Sequence, residues 1–208
     1  PPTGAPVPSY RFEGFVPVVD PTAFVHPSAV LIGDVIIGPG CYVGPGASLR
    51  GDFGRIVLQA GCNVQDNCVL HMFPDQQVLL EEGAHIGHGA VLHGCVVRRG
   101  ALVGIRAVVM DDAEVGEEAF VGACAFVKSR FQVPPRTLVT GVPARVVREL
   151  TADEIAWKAH GTTLYQQLAT RCLADLEECT PLAQVEPGRP VSKPVTAVPL
   201  HVMRRGES

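Results

Sequence analysis

The sequence predicts an all-β chain wound into a triangular parallel β-solenoid, followed by a C-terminal α-helical segment. Aliphatic residues recur every six positions from Val25 to Val139, and an alanine or cysteine often follows four positions later. Such a period is neither the 3.6 residues of an α-helix nor the two of a simple strand. The composition agrees, because 22 glycines supply turns while aromatic residues make up only 6% of the chain.

Each six-residue step supplies one short strand and one corner, and three steps complete one coil. The aliphatic residue points inward and the small residue fits the crowded corner. The predicted inward residues are Val25, Leu31, Ile37, Val43, Leu49, Leu58, Val64, Leu70, Leu80, Ile86, Leu92, Val97, Val103, Val109, Val115, Val121, Val127, Val133 and Val139. The predicted corner residues are Ala29, Cys41, Ala47, Cys62, Cys68, Ala90, Ala107, Ala113, Ala119 and Ala125. Successive coils should stack at the spacing of paired strands, about 4.8 Å.

Three interruptions break the period. The steps 49–58 and 70–80 are longer than six residues, and the step 92–97 is one residue shorter. Insertions in solenoids become loops on one face, which is often the binding face. We therefore expect loops here, next to the histidines described below.

The organisation outside the repeat follows from prolines, glycines and capping residues. Four of the first eight residues are proline, which predicts a disordered segment over 1–9. The solenoid is expected over 10–148 and helices over 149–180. Residues 181–208 lack periodicity and are predicted to form an extended or disordered tail.

Two helices are expected in the C-terminal segment. Thr151 and Glu154 have the spacing of a capping box, which begins the first helix. Gly161 is predicted to end it. A second helix near 163–178 then carries one apolar stripe. The members of the stripe are Tyr165, Leu168, Cys172 and Leu176.

Charge and cysteine content exclude several classes of protein. The net charge is −4 with no basic run, which argues against nucleic-acid binding. Apolar runs such as 29–32 are far shorter than the roughly 20 residues of a membrane span. Seven cysteines without a CxxC pair fit a reducing compartment, so a cytoplasmic protein is expected.

Four of the seven histidines lie between residues 71 and 93. Because Leu49 and Leu70 are one coil apart, Arg50, His71 and His93 should occupy the same place on three stacked coils. Asp66 and His88 form a second column one face away. His85 is the fourth histidine; it either shuttles protons or is a solvated or structural residue.

This placement limits which histidines can share a metal ion. His71 and His93 are about one strand spacing apart and can do so. His88 is about 15 Å from His93 along extended chain, so it would have to come from a neighbouring subunit, as in a closed trimer. Three imidazoles with one open position form a catalytic zinc site. Spacing alone leaves open the alternative that the stacked pair only lines a corner.

Five motifs then resemble, in order, the γ-class carbonic anhydrases, which are hexapeptide-repeat, left-handed parallel β-helix proteins. The motifs span residues 49–52, 63–67, 69–71, 86–88 and 92–94. The resemblance implies a homotrimer with one divalent metal at each subunit interface, Zn²⁺ foremost, with Fe²⁺ or Co²⁺ as alternatives. The implied ligands are His71, His88 and His93, and a metal-activated hydroxide would be the nucleophile.

The same resemblance assigns roles to other residues. Arg50, Asp52 and Asp66 match an interface set that locks the trimer and orients the ligands. Gln65 matches a polar residue near the metal-bound water, with Asn63 as a weaker partner. Tyr165 matches a tyrosine that reaches the site from the terminal helix, although packing of that helix explains it equally well.

Further segments resemble the phenylacetic acid degradation (PaaY) branch of this superfamily, with a carnitine-operon protein as the next relative. They include residues 9–14, 51–56 and 185–189. This branch implies a thioesterase acting on CoA thioesters in phenylacetate catabolism. The alternatives are a carbonic anhydrase hydrating CO2 to bicarbonate, a CoA-dependent acyltransferase and a non-catalytic assembly subunit. Phe53 stands where the anhydrases carry a glutamate, which disfavours fast CO2 hydration.

Overall fold

The computed structural model describes residues 7–191 and 198–203 and shows a parallel β-solenoid of about seven coils with one long helix against it. Its three faces are hydrogen-bonded ladders of short parallel strands. Two faces belong to one sheet, because the strands β4 (Val30–Ile37) and β6 (Ser48–Leu58) run continuously around the corner between them.

The three faces are defined by their strands. The first contains β1 (Ser9–Tyr10), the first halves of β4 and β6, β8 (Val69–His71), β11 (Val91–His93), β14 (Val108–Val109) and β17 (Phe126–Val127). The second contains β2 (Val18–Val19), the second halves of β4 and β6, β9 (Gln77–Leu80), β12 (Val96–Val97), β15 (Glu114–Val115) and β18 (Gln132–Val133). The third contains β3 (Phe24–Val25), β5 (Tyr42–Val43), β7 (Asn63–Val64), β10 (His85–Ile86), β13 (Leu102–Val103), β16 (Phe120–Val121), β19 (Thr137–Gly141) and the antiparallel β20 (Ala144–Glu149).

The core is the interior of the triangle. Every predicted inward residue is buried, with at most 8% of its surface exposed, and so is every predicted corner residue. The inward residues stack directly upon one another, as Leu31, Leu49 and Leu70 do on the first face. The fold prediction is confirmed, because each coil can close only if one aliphatic side chain per step fills the interior.

The three interruptions differ from one another. The stretch 49–58 is not a loop; it remains within β6, whose residues pair with β4 on one side and β9 on the other. That part of the loop prediction is wrong, because the extra residues stay within the strand as an irregularity, where the register with β4 shifts between Gly33 and Val35. The stretch 70–80 contains a loop over 72–76, and the short step 92–97 turns at Gly94, whose φ is 54°.

Within residues 149–180 the structure has one helix, not two: α1 (Ala152–Asp175). Its N-cap is Thr151, and the reciprocal bonds of the predicted capping box with Glu154 are present. The helix continues through Gly161, so the expected break there is wrong. A glycine inside a helix costs only about 1 kcal/mol relative to alanine, and the packing of the turns on both sides compensates for it.

The helix lies against the third face through an aromatic contact. Tyr165 packs on Tyr42, which stacks on Phe24 at a centroid distance of 5.6 Å. Leu168 and Cys172 join this cluster as the stripe predicts. Leu176 does not, because it is the C-cap residue and is half exposed.

The chain ends differ in part from the expectation. Residues 7–9 are ordered: Val7 packs on the core, and the carbonyl of Pro8 accepts a bond from the amide of Leu31. The remainder of the segment 1–9 lies outside the described residues. Residues 181–191 form no helix or strand. A short helix, α2 (Leu200–Met203), follows Val198, whose carbonyl accepts a 2.6 Å bond from the indole of Trp157. In the ranges 7–191 and 198–203, no helix combines the length and apolarity needed to cross a membrane.

Replacing Gly161 with alanine should stabilise the protein. A Cβ at this position meets no atom within 4 Å, and the backbone is helical, so the substitution removes only the excess flexibility of glycine. We expect the free energy of unfolding to rise by about 1 kcal/mol. The control is Gly40→Ala, where space is also open but φ is +64°, and we expect a loss of about 1 kcal/mol. Urea denaturation of both variants measures this, and equal effects would contradict it.

Candidate functional site

The stacked histidine column is present on the first face. His71 and His93 are register partners on β8 and β11, and Nδ1 of His71 lies 3.2 Å from Nε2 of His93. Both side chains are largely shielded from solvent, with 12% and 20% exposed. The spacing argument therefore placed the two rings correctly, whereas their role as metal ligands stays a prediction.

The outer nitrogens of this pair each face an aspartate. Nε2 of His71 lies 3.0 Å from Oδ1 of Asp52, and Nδ1 of His93 lies 2.6 Å from Oδ1 of Asp111. A carboxylate accepts, so in a neutral imidazole the outer nitrogen holds the proton and the inner one holds a lone pair. Each ring is therefore oriented by a carboxylate, with its inner nitrogen free to act as a ligand.

Two lone pairs facing each other at 3.2 Å repel unless a cation lies between them. Two nitrogen ligands on a tetrahedral zinc ion, each at about 2.0–2.1 Å, are themselves about 3.3–3.4 Å apart. The separation of the inner nitrogens thus matches what a shared metal requires. The donor set fits a divalent, imidazole-preferring ion such as zinc.

His88 repeats the arrangement on the other column. Its Nδ1 is hydrogen-bonded to Oδ2 of Asp66, which leaves Nε2 available. Both side chains are open to solvent, 46% and 36% exposed. In a single chain, and for the residues that the structure describes, no group of three or more His, Cys, Asp or Glu side chains is arranged to hold a metal ion. His88 accordingly does not join His71 and His93 within one chain, as its spacing predicts.

Arg50 and Asp52 support the column from one end. Nη1 of Arg50 donates a 2.7 Å bond to Oδ2 of Asp52. Burial raises the pKa of Asp52, but the bonds from Arg50 and His71 outweigh it and hold that pKa below the usual value. Burial lowers the pKa of His71, against the opposing effect of Asp52. Both effects favour a carboxylate and a neutral imidazole, the protonation states that metal binding requires.

Two exposed phenyl rings flank the imidazoles. The Phe53 ring centroid is 5.4 Å from that of His71, and the Phe73 centroid is 5.0 Å from that of His93. About half of each phenylalanine is exposed. The site therefore combines a polar pair with an apolar surface on the solvent side.

A second polar cluster lies on the third face. Asn63 and Gln65 are buried, 0% and 3% exposed. Nε2 of Gln65 donates to Oδ1 of Asn63 at 3.0 Å and contacts Nε2 of His85 at 2.7 Å. The two residues that the resemblance placed near a bound water are therefore bonded to each other.

His85 is partly buried, and its Nδ1 is enclosed without a hydrogen-bond partner in the described part of the chain. Burial, assisted by the charges of Lys158 and His88, lowers its pKa to about 3. It stays neutral at physiological pH, where a group with that pKa is a poor proton carrier. Of the roles considered for His85, only the structural one agrees with this environment.

Tyr165 contacts the second cluster through its ring. It stands perpendicular to His85 with a centroid distance of 5.3 Å and lies at the same distance from Tyr42. Burial raises the pKa of Tyr165 to about 12, so the phenol stays protonated. Tyr165 serves the packing of the helix, and its predicted catalytic role remains a prediction.

Sequence reasoning missed Asp111 and Phe73. A signal for Asp111 existed, because the repeat places Val109 one coil after Leu92, and Asp111 follows two residues later. Phe73 lies in the inserted loop, where the repeat predicts no side-chain position.

Comparisons with known proteins establish the family. Residues 17–51 match the family described as bacterial transferase hexapeptide (six repeats). Over 189 residues the chain is 57% identical to carnitine operon protein CaiE of Salmonella agona, covering 91% of this chain and 96% of that protein. The chain belongs to the CaiE family. CaiE of Escherichia coli K12 is 55% identical over 181 residues, 87% of this chain and 92% of that protein.

Solved structures agree with the hexapeptide-repeat fold of the CaiE family. The product of the BC4754 gene of Bacillus cereus, provisionally described as an acetyltransferase, superposes with a TM-score of 0.80 at 32% identity, covering 81% of this chain and 98% of that chain. A hexapeptide transferase family protein from Anaplasma phagocytophilum gives 0.75 at 33% identity, covering 78% and 96%. The relatives carry the carnitine name, so the phenylacetate branch is not confirmed.

The stability of the protein should fall between pH 7 and pH 5 because of His85. Its pKa is about 3 in the folded chain against 6.5 as the ordinary value, so the unfolded chain binds a proton first as the pH falls. Stability present above pH 6.5 is lost below it, and we expect a loss of about 2 kcal/mol at pH 5 from this residue.

Urea denaturation at both pH values, followed by the single tryptophan, measures the difference. His85→Leu should remove that part of the pH dependence. The control His26→Gln, at a solvent-facing corner, should retain it. An unchanged pH dependence in His85→Leu would contradict the assignment.

Proposed function

We propose that the chain is a metal-dependent hydrolase that cleaves CoA thioesters, acting as a homotrimer with one divalent metal, zinc foremost, at each subunit interface. His71 and His93 of one subunit and His88 of the partner subunit are its proposed ligands. One observation carries this proposal: each of the three histidines has an aspartate on one nitrogen and its other nitrogen directed away from it. That pattern is typical of metal-binding histidines.

The chain's own residues supply orientation and protonation state. Asp52, Asp66 and Asp111 hold the ring protons on the nitrogens that do not ligate. Bound there, a divalent metal supplies Lewis acidity and makes water nucleophilic near neutral pH. Gln65, held by Asn63, is proposed to orient the attacking water. Tyr165, which stays a phenol, is proposed to donate to the developing oxyanion.

The two phenyl rings favour an acyl substrate over CO2. Phe53 and Phe73 present apolar surface beside the imidazoles, where an acyl group would be shielded from water. CO2 hydration needs a carrier for the released proton, and His85 is unsuited to that task. In the described part of the chain, Asp75 is the one acidic residue of the loop 72–76.

The surface around His88 supports assembly of a trimer. Ile105, stacked on the next coil, and Val69 on the first face are apolar residues that are 50% and 41% exposed. An interface there would bury them together with His88 and Asp66. Arg50, whose side chain is 43% exposed, is proposed to reach Asp66 of the partner subunit.

A CoA-dependent acyltransferase is the second candidate. The description of the Bacillus cereus protein, at 32% identity, favours it. Such an enzyme works with one histidine as a base and needs no metal. It does not account for three histidines that are each oriented by an aspartate.

Subunit complementation tests the shared metal site. We expect His88→Ala and His93→Ala to form trimers that each lose zinc, since two imidazoles make a weak site. Mixed trimers contain interfaces with His71 and His93 from one variant and His88 from the other. Refolding the two variants together should therefore restore zinc in part, measured by metal analysis after size-exclusion chromatography with light scattering. A zinc-loaded monomer, or no restoration in verified mixed trimers, would rule out the shared site.

Substitution of Asp111 tests how the ligand is held. Asp111→Asn removes the carboxylate that fixes the ring of His93, and we expect zinc affinity to fall about 10- to 100-fold. CoA release from an acyl-CoA should fall in parallel and recover with excess zinc. The matched control is Asp112→Asn, which removes an adjacent exposed carboxylate and should retain both zinc affinity and CoA release. Acyl-CoA cleavage that survives chelation and is accelerated by an added acceptor amine would identify an acyltransferase instead.

A further inference from the structure

Asn63, Gln65 and His85 form a hydrogen-bonded cluster on the third face. Asn63 and His85 are register partners on β7 and β10. Gln65 follows two residues after Asn63. Within this cluster the head group of Gln65 is bonded on both sides, to Asn63 and to His85. The ring of Tyr165 stands perpendicular to that of His85 and covers part of it.

The protons of this cluster can be assigned from its donors. Nε2 of Gln65 can only donate, and it uses one hydrogen for Oδ1 of Asn63 and the other for Nε2 of His85. Nε2 of His85 must therefore be an acceptor without a proton. A neutral imidazole in that state carries its proton on Nδ1. Over the described ranges, Nδ1 of His85 is buried and has no hydrogen-bond partner, so the tautomer is set from the Nε2 side, by the amide of Gln65.

Protonation of both ring nitrogens is disfavoured by the surroundings. A second proton on Nε2 would point at the amide hydrogens of Gln65. Lys158 of the helix is a nearby positive group that lowers the pKa of His85, and His88 on the adjacent corner lowers it as well. Glu118 and Cys62 are the groups that act on Lys158 itself. The ring is therefore held neutral by its surroundings, and its tautomer is set by the contact between Gln65 and Nε2.

The tautomer decides what Gln65 presents to the site. Because both amide hydrogens are used, the carbonyl oxygen is the group left to act outward. With the proton on Nε2 of His85, the head group would have to turn over and present its amide hydrogens instead. We propose that His85 is a positioning residue whose Nδ1–H tautomer holds Gln65 with its carbonyl oxygen outward, as a hydrogen-bond acceptor for water.

The kinetic consequence rests on the proposed hydrolase function, whereas the tautomer does not. An outward acceptor can orient a water molecule through one of its hydrogens. An outward amide would instead donate to the oxygen, which competes with its use as a nucleophile. Loss of the His85 acceptor should therefore lower turnover without changing substrate affinity.

Nitrogen NMR of the full chain labelled with ¹⁵N-histidine tests the tautomer directly. We expect the His85 ring to show a protonated Nδ1 and an unprotonated Nε2, unchanged between pH 6 and pH 9. A proton on Nε2, or titration of this ring within that range, would overturn the proposal. The result is the same whether or not the protein hydrolyses thioesters.

Two variants separate the lost acceptor from the lost ring. His85→Gln supplies an oxygen near the position of Nε2, while His85→Leu supplies none. In the trimeric, zinc-loaded protein we expect His85→Leu to lower kcat for CoA release about 10- to 100-fold with KM and zinc content unchanged. His85→Gln should retain most of kcat. Equal losses in both variants, or native kcat in His85→Leu, would overturn the positioning role.

Discussion

Hydrogen bonding between successive coils is the interaction on which the rest of the structure depends. It places each residue above its counterpart one turn earlier at about the strand spacing of 4.8 Å. At the histidine corner, the amide of Gly94 donates to the carbonyl of His71 at 2.9 Å, and that of Asp112 donates to Gly94 at 2.7 Å. Side chains 18 to 22 residues apart are thereby brought within hydrogen-bonding distance.

This stacking produces an ordered sequence of charge at the corner. Arg50, Asp52, the two imidazoles and Asp111 follow one another, so each imidazole has a carboxylate on its outer side. Gly94 makes the contact between Asp111 and His93 possible. A Cβ there would lie 2.3 Å from Oε1 of Gln76 and 2.7 Å from Oδ1 of Asp111, so any side chain would displace the aspartate from its histidine.

The helix gives the third face a different environment from the first. Lys158 donates to the carbonyl of Gly83 at 2.7 Å, and Gln166 donates to that of Gly61 at 3.2 Å. These bonds attach the helix to successive coils and place the ring of Tyr165 against that of His85. Histidines only three residues apart, His85 and His88, consequently differ in environment, one partly covered by the helix and the other facing solvent.

The sequence by itself determined the solenoid, its inward residues, the histidine column and the capping box, because each depends on spacing between residues that are repeated or close along the chain. Only the tertiary structure decided that the helix runs through Gly161, that 49–58 stays a strand, that Asp111 reaches His93 and that the helix covers part of His85. These features depend on contacts between segments such as the helix and the third face. A six-residue period contains no information about which distant segment covers a given face.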